Sequence, residues 1–348
     1  MPLGNVVFFG SGETSPTGGI VFQKLSAGFG KTFRIAILET PAGFEPNSAL
    51  VAGRVADFLR MKLGEKTPRI SVIPARRKGT PLSPDSPEIL EPLPITDWIY
   101  FGAGSPSYTV RQLDHSLAWR MILAAWQQGA MFVLASAAMI AAGAWALPVY
   151  EIYKAGEDPH WKPGLDLFGA LGWKLILVSH WNNAEGGEEL DTSRCFVGRE
   201  RFQILLDLLP EGAVVLGLDE HTTLTMDWER GTGHVEGKGA ATILKNGREL
   251  LHSSGEEFPL REIGEYSIPS KPFGVGDDLW EDVLRKRASR DMAAATPQEV
   301  LELVRDRERI RNAGNYAEAD SIRKKIEHLG WIVMDTPQGP VVKPRSPG

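Results

Sequence analysis

A run of 30 residues without a charged side chain, Met121–Tyr150, constrains the fold of this 348-residue chain more than any other feature. It is long enough to span a lipid bilayer, for which about 20 apolar residues suffice. Polar residues and helix breakers interrupt the run, however, and alanine supplies much of the rest (Gln127, Gln128, Gly129, Ser136, Gly143, Pro148). A buried strand that leads into a buried helix is equally free of charge. We therefore favour a buried strand and helix over a membrane span, which stays open as the alternative.

Short apolar runs alternate with amphipathic stretches through the first two thirds of the chain. The runs predict strands at 5–9, 34–38, 69–73, 97–101, 130–135, 173–179 and 213–218, with helices at 47–63 and 107–126 and antiparallel β-structure at 231–246. Strands that are apolar on both faces and alternate with helices indicate a mostly parallel sheet covered on both sides. The predicted fold class is therefore α/β.

Composition and charge divide the chain into three parts. Residues 253–276 are rich in proline, glycine and glutamate and are predicted to be a linker between an α/β domain at 1–252 and a tail at 277–348. The whole chain has a net charge of −6, yet residues 283–348 hold 13 Lys+Arg against 9 Asp+Glu. The start of the chain lacks the basic and apolar regions of a signal peptide, and one cysteine allows neither an intrachain disulfide nor a multi-thiolate zinc site. We expect a cytoplasmic protein with no metal and no cofactor.

Ser136 follows the predicted strand at 130–135 and precedes a run of small residues. A serine at a tight strand-to-helix turn is the nucleophile-elbow arrangement, in which the turn exposes the hydroxyl and directs backbone N–H groups at a developing oxyanion. The usual pattern is G-x-S-x-G, whereas Leu134 and Ala138 stand here in the place of the glycines. A buried serine at a helix start is the alternative.

His180 ends another predicted strand, where it could act as general base to Ser136. A hydrogen-bonded loop histidine is the alternative. Glu151, which ends the uncharged run, could orient the imidazole. Asp219 and Glu220 end a further strand and could do the same, or bind a basic group of a substrate.

Several segments, taken in order over about residues 5–247, resemble the serine peptidases typified by cyanophycinase and dipeptidase E, which have the class I glutamine amidotransferase fold. They are VVFFGSGE, RIAILETPAG, DWIYFGAGSPSYTVRQL, GAMFVLASAAMIAAG, His180 and VVLGLDEHTTL with GAATILKNG. The resemblance implies a small peptide or amide substrate, Ser136 as nucleophile and His180 as base. It also implies an oxyanion hole near Ala103, Gly104 and Ala137.

The resemblance further implies that Arg199 and Arg201 bind substrate carboxylates, although a longer and more polar segment than the family's precedes them. The third member of the triad is the least secure, and Glu151 is our choice. A catalytically degenerate relative that binds a ligand is the alternative. The Gly10-Ser11-Gly12 turn lacks the third glycine of a dinucleotide-binding loop, so a nicotinamide enzyme is a more distant reading.

The tail carries a second resemblance. Residues 305–343 look like the C-terminus of cysteinyl-tRNA synthetases, with matching positions at Ala317, Ala319, Asp320, Ile322, Arg323, Gly330, Asp335, Thr336, Pro337 and Gly339. The pattern predicts a helical hairpin followed by a β-turn. Basic residues, among them Arg309, Arg311, Arg323 and Lys324, could contact tRNA phosphates. A solvated helix surface, docking and homodimer formation are the alternatives.

Overall fold

The computed structural model describes residues 2–336 and 339–345 and divides the chain into two compact units, Met1–Val283 and Leu284–Gly348. The strands of the first unit are β1 Val6–Phe9, β2 Arg34–Leu38, β3 Arg69–Ile73, β4 Trp98–Phe101, β5 Met131–Ala135, β6 Trp145–Ala146, β7 Lys162–Pro163, β8 Leu175–Val178, β9 Val214–Leu218, β10 Thr222–Asp227, β11 Thr232–Gly237, β12 Ala240–Lys245, β13 Arg248–Ser253 and β14 Glu257–Pro259. Its helices are α1 Pro16–Ser26, α2 Ser48–Lys62, α3 Pro87–Leu90, α4 Pro106–Leu113, α5 Leu117–Gln127, α6 Ala137–Ala141, α7 Val149–Tyr153 and α8 Arg199–Asp207. The unit boundary falls within α9 Asp277–Ala295, and the second unit continues with α10 Gln298–Asn312, α11 Tyr316–His328, β15 Trp331–Thr336 and β16 Gly339–Pro344.

An eight-stranded sheet forms the centre of the first unit, in the order β14-β11-β10-β1-β5-β4-β2-β3. The five strands from β1 to β3 in this order run parallel, and the other three add antiparallel pairs. Every residue of β1, β4 and β5 is buried, as expected for strands with helices on both faces. The predicted α/β class and mostly parallel sheet are therefore confirmed.

A second sheet, in the order β13-β12-β9-β8, adjoins the first through the chain connection from β9 to β10. Strands β8 and β9 are parallel, and β12 and β13 form an antiparallel hairpin next to them. The carboxyl ends of β5, β8 and β9 are followed by Ser136, His180 and Asp219. Since ligands collect at the carboxyl ends of parallel strands, this edge is where a site is expected.

The core lies on both faces of the large sheet because side chains alternate along each strand. On β1, Val6 and Phe8 pack into one cluster, whereas Val7 and Phe9 pack into the cluster on the opposite face. Truncation of a fully buried phenylalanine costs about 3–5 kcal/mol, so this central strand contributes strongly to stability.

The uncharged run is divided among five elements: the end of α5, then β5, α6, β6 and the start of α7. Among the residues the structure describes, no helix is both long enough and apolar enough to cross a membrane. The run is uncharged because most of its residues are buried within the first unit.

Two predictions of chain organisation are wrong. The helix expected at 107–126 is two helices, because His115 adopts a positive φ of 55° and Ser116 caps the start of α5. The linker expected at 253–276 belongs to the first unit. Its strand β14 pairs with β11, and Phe258, Leu260 and Ile263 are buried in the core, which its proline and glycine content did not indicate.

The second unit has a small core of its own. Helices α10 and α11 form the predicted hairpin, with a turn at Gly314 (φ 82°) and an N-cap at Asn315. Their apolar faces pack with the β15–β16 hairpin, and the buried members of this core are Val300, Val304, Ile322, Ile326 and Val333. Of the residues matching the synthetase pattern, Pro337 lies outside the described residues.

Candidate active site

Ser136 lies at the sharp turn between β5 and α6. Its backbone has φ 51° and ψ −115°, a strained combination for a residue with a side chain and one that recurs at functional sites. Its N–H donates to the carbonyl of Phe9 on β1 at 3.0 Å, which fixes the turn. Leu134 and Ala138 are both buried. The elbow therefore forms without the two glycines of the usual pattern.

His180 lies directly opposite this serine. Its Nε2 is 2.9 Å from the Oγ of Ser136. The His180 N–H donates to the carbonyl of Gly10, and its carbonyl accepts from the N–H groups of Asn183 and Cys195, each at 3.1 Å. The backbone of the histidine is thus held by the β1 end and by the segment that follows it.

The carboxylate beside His180 belongs to Glu220, in the connection between β9 and β10. Its Oε1 lies 2.7 Å from His180 Nδ1 and also accepts from the side-chain amide of Asn183 at 2.9 Å. The side-chain oxygen of Asn182 accepts from the Glu220 N–H at 2.8 Å, which positions the residue. Burial alone would raise the pKa of Glu220, but the hydrogen bonds from His180 and Asn183 outweigh it and lower that pKa. Of the two roles left open for Glu220, this geometry fits the orienting acid.

Glu151 does not hold this position, so its prediction as the third triad member is wrong. Burial is the largest influence on the pKa of Glu151 and would raise it, but its Oε1 accepts from Lys162 Nζ at 2.6 Å and the pKa is lowered. Glu151 lies on the short helix α7, and its bond to Lys162 connects this helix to β7. Its position in the sequence suggested Glu151 for this role. In the structure, the connection between β9 and β10 lies beside the end of β8 and places Glu220 next to His180.

The predicted oxyanion-hole residues Ala103, Gly104 and Ala137 line one cavity together with Ser136. Ala137 is the first residue of α6, where N–H groups have no partner within the helix. Gly104 approaches the loop after β2 so closely that a Cβ on it would lie 1.9 Å from the Pro41 carbonyl oxygen. In the part of the chain that the structure describes, neither the Gly104 N–H nor the Ala137 N–H donates to a backbone carbonyl. Ala103 and Gly104 line the same cavity as Ser136.

This cavity, called here the Ser136 cavity, has a volume of about 370 Å³. Its lining comprises Ala103, Gly104, Pro106, Ser136, Ala137, Ile140, Val149, Tyr150, Tyr153, Lys154, His180, Glu185, Cys195 and Phe196. The Tyr150 hydroxyl donates to the Gly104 carbonyl at 3.2 Å, which links α7 to the loop after β4.

A left-handed turn in the segment after His180 forms one wall. Arg194, Cys195 and Phe196 have φ values of 59°, 59° and 67°, three consecutive residues in a region that side chains disfavour. The turn places the Phe196 ring 5.5 Å from the His180 ring, centroid to centroid. Burial raises the pKa of the Cys195 thiol to about 12, so it is not a thiolate at neutral pH.

The two predicted substrate arginines lie away from the Ser136 cavity. Arg201 Nε donates to the carbonyl of Val197, and Arg199 lines a separate cavity beside α8. Neither lines the Ser136 cavity. Asp219 likewise does not face the histidine: its carboxylate accepts from the Ala240 N–H at 2.9 Å, and burial raises its pKa.

A second cavity of about 210 Å³ lies beyond Ala103, a residue that lines both. It contains Glu13, whose pKa is raised by burial, and the buried Tyr100, whose hydroxyl has no hydrogen-bond partner among the described residues. Sequence reasoning missed both. Glu13 ends the VVFFGSGE segment, and this position after a strand was the available signal.

Ion pairs within the second unit occupy three of the four predicted RNA-contact residues. Arg311 contacts Asp335 and Arg309 contacts Asp306. Arg323 lies 3.4 Å from Glu327. Lys324 is exposed and makes no ion pair within residues 2–336 and 339–345. Arg307, with only 4% of its side chain exposed, forms two bonds to Asp335 at 2.8 and 2.9 Å and serves the structure of the tail.

The fold is similar to the crystal structure of a peptidase from an acI-B1 Actinobacterium, with a TM-score of 0.58 and 20% identity over 74% of this chain and 97% of that chain. A putative peptidase E protein from Listeria monocytogenes EGD-e aligns with a TM-score of 0.42 and 14% identity over 72% of this chain and 98% of that one. The first comparison confirms the peptidase-like fold that the sequence motifs predicted.

Residues 293–340 match the cysteinyl-tRNA ligase anticodon binding domain. The cysteine–tRNA ligase of Caldicellulosiruptor saccharolyticus is 55% identical over 49 residues, which are 14% of this chain and 10% of that protein. The enzyme of Rubrobacter xylanophilus is 43% identical over 102 residues, 28% of this chain and 21% of that protein. The chain thus spans about a tenth to a fifth of the length of these relatives. Its tail resembles a ligase anticodon binding domain, and the larger part of the chain shares its fold with a peptidase.

Proposed function

We propose that the protein is a serine hydrolase that cleaves a peptide or related amide through an acyl-enzyme on Ser136. The observation that carries the proposal is the continuous chain of contacts from Ser136 Oγ to His180 Nε2 and from His180 Nδ1 to Glu220. Because an ionised carboxylate only accepts hydrogen bonds, Glu220 holds the proton of the neutral imidazole on Nδ1. His180 Nε2 is then free to accept the proton of Ser136.

In the acylation step, Ser136 Oγ attacks the substrate carbonyl while its proton moves to His180 Nε2. The N–H groups of Ala137 and the Ala103–Gly104 loop stabilise the oxyanion. His180 then donates the proton to the departing amine, and the C–N bond breaks. Water repeats the sequence on the ester, with His180 as base, and releases the acid. The Glu220 charge stabilises the imidazolium in both steps.

A fluorophosphonate probe tests this proposal without knowledge of the substrate. Intact protein should become labelled, and mass spectrometry should place the label on Ser136. Ser136→Ala should remove it, whereas Ser253→Ala, at an exposed serine, should not. Folded protein that takes no label would contradict the proposed hydrolase.

We also propose that the tail contacts tRNA, supported by its match to an anticodon binding domain. Lys324 and Lys325 are exposed neighbours on α11 and supply positive charge there. Replacing both by glutamate in the full chain should weaken binding of total tRNA and reduce the salt dependence of log K by about one to two. Lys271→Glu, an exposed lysine of the first unit, is the matched control. Equal gel shifts at low salt for the unsubstituted chain, the double glutamate variant and Lys271→Glu would contradict this proposal. Cytoplasmic location and homodimer formation stay predictions.

A further inference from the structure

The Ser136 cavity has apolar and aromatic walls. Ile140 and Val149 are buried in its side, and the rings of Tyr153 and Phe196 lie 5.6 Å apart, centroid to centroid. Its volume of about 370 Å³ is near the lower end of the range for small-ligand pockets, so it suits one side chain rather than an extended peptide.

Fixed charge is scarce in this cavity. The charged residues of its lining are Lys154 and Glu185, which are both exposed. The Lys154 ammonium lies 4.5 Å from the centroid of the Tyr153 ring. Exposed charges of opposite sign at the rim are screened by solvent and contribute little to binding.

An acidic side chain in the cavity would therefore lose its hydration without gaining a buried partner. Such a transfer is unfavourable unless a charge or hydrogen bonds replace the water. The arginines that could have supplied that charge, Arg199 and Arg201, lie away from the cavity. Transfer of an uncharged aromatic side chain into the cavity is favourable, because it displaces water from the Phe196 and Tyr153 rings and packs against them.

The residue that enters the cavity belongs to the acyl part of the substrate. The cavity lining includes Ser136 together with Gly104 and Ala137, which are proposed to bind the oxyanion. In the proposed mechanism the acyl part stays bonded to Ser136 after the amine departs, so its side chain is the group held against these walls.

We infer that the enzyme selects substrates whose acyl residue carries an uncharged aromatic or large aliphatic side chain and discriminates against aspartyl and glutamyl residues. This inference rests on the proposed serine hydrolase. Phe196 and Tyr153 are its specificity-determining residues.

The test compares two diphenyl phosphonates that differ only in side chain, benzyl or carboxymethyl. Each reacts when Ser136 Oγ attacks phosphorus and a P–O bond to phenoxide breaks. The serine proton passes through His180 to the phenoxide, so phenol is released without any other reactant. The second-order rate constants are measured on the full-length protein, and their ratio does not depend on the fraction of folded enzyme.

We expect the benzyl compound to react about 100-fold faster, within the range that hydrophobic pockets achieve for small differences in side chain. Phe196→Ala should reduce the ratio about tenfold, and Phe196→Arg should reduce it further by favouring the carboxymethyl compound. Leu190→Ala, at an exposed leucine of the same segment, should leave both rates unchanged.

Equal rates, or faster reaction of the carboxymethyl compound, would overturn the inference, as would a benzyl compound that fails to react with protein that a fluorophosphonate labels. Protein that no fluorophosphonate labels would instead refute the hydrolase itself. The two failures are therefore distinguishable.

Discussion

Replacing Glu220 by glutamine removes the negative charge next to the His180 ring while keeping an oxygen in a position to accept from Nδ1. The bond it replaces is 2.7 Å long, and 27% of the Glu220 side chain is exposed, so solvent moderates the charge only in part. Hydrogen bonds to charged groups contribute about 1.5–3 kcal/mol. At about 1.4 kcal/mol for each factor of ten, Glu220→Gln should slow labelling of Ser136 by about 10- to 150-fold.

The pH dependence of this loss follows from the lowered pKa of Glu220. Hydrogen bonds from His180 and Asn183 hold that pKa down against burial, so the carboxylate is charged throughout the neutral range. Titration of Glu220 itself should therefore not change the loss between about pH 6 and pH 8, well above the ordinary pKa of a glutamate. The assay is the pseudo-first-order rate of fluorophosphonate labelling, followed by intact mass.

Glu151→Gln is the matched control, because it makes the same chemical change at the acid that chain order suggested. Its partner is Lys162, with 39% of that side chain exposed, and the labelling rate should change less than about threefold. Slower labelling in Glu151→Gln than in Glu220→Gln would refute the assignment, as would a rate for Glu220→Gln that matches the parent.

Three further predictions concern backbone packing and the tail. Gly104→Ala should slow labelling at least about 100-fold, because its Cβ would overlap the Pro41 carbonyl and displace the Ala103–Gly104 loop, which is proposed to bind the oxyanion. Asp335→Asn should destabilise the tail by about 1–2 kcal/mol, a figure reduced from the cost of breaking a fully buried pair because 44% of the Asp335 side chain is exposed, and should speed amide exchange in α10. The Arg307 bond is also the main reason that the pKa of Asp335 is lowered to about 2, so this stabilisation is present above an ordinary pKa near 3.8 and should disappear as the pH falls toward 2.

Matched controls exist for these changes. Gly53→Ala adds a methyl group in α2, where nothing lies within 4 Å, and should leave labelling unchanged. Asp320→Asn makes the same charge change as Asp335→Asn at an exposed position of α11. If Gly53→Ala slowed labelling as much as Gly104→Ala, or Asp320→Asn matched Asp335→Asn in exchange, the contacts described would not be the cause.

The strands of the parallel sheet could be predicted closely because uncharged runs of the right length are local signals. The prediction of Arg34–Leu38 has the same bounds as β2, and the uncharged run yielded β5 and the serine at its end. The proposed linker failed because spaced apolar residues such as Phe258 and Leu260 carry more information about burial than proline and glycine content does.

The site was only partly predictable, since its members come from distant strands. Ser136 follows β5 of the large sheet and His180 follows β8 of the second sheet, and both positions are at the carboxyl ends of parallel strands, which topology alone indicates. The choice between Glu151 and Glu220 depends on which connection packs against β8, and no local pattern records that. The left-handed turn at 194–196 contains no glycine, which is the usual sequence signal for positive φ. Its effect on the cavity therefore could not be predicted from the sequence.

That turn has a consequence for how the protein can be changed. Each non-glycine residue held in the left-handed region costs about 1 kcal/mol or more. The three together therefore raise the free energy of this segment in the folded protein relative to backbone conformations with negative φ. Cys195→Gly would relieve this backbone strain, but it would also remove a buried side chain from the core. The same change in backbone conformation would weaken the hydrogen bond that the Cys195 N–H donates to the His180 carbonyl. A substitution in this turn should therefore change the stability of the segment and the position of the His180 main chain together.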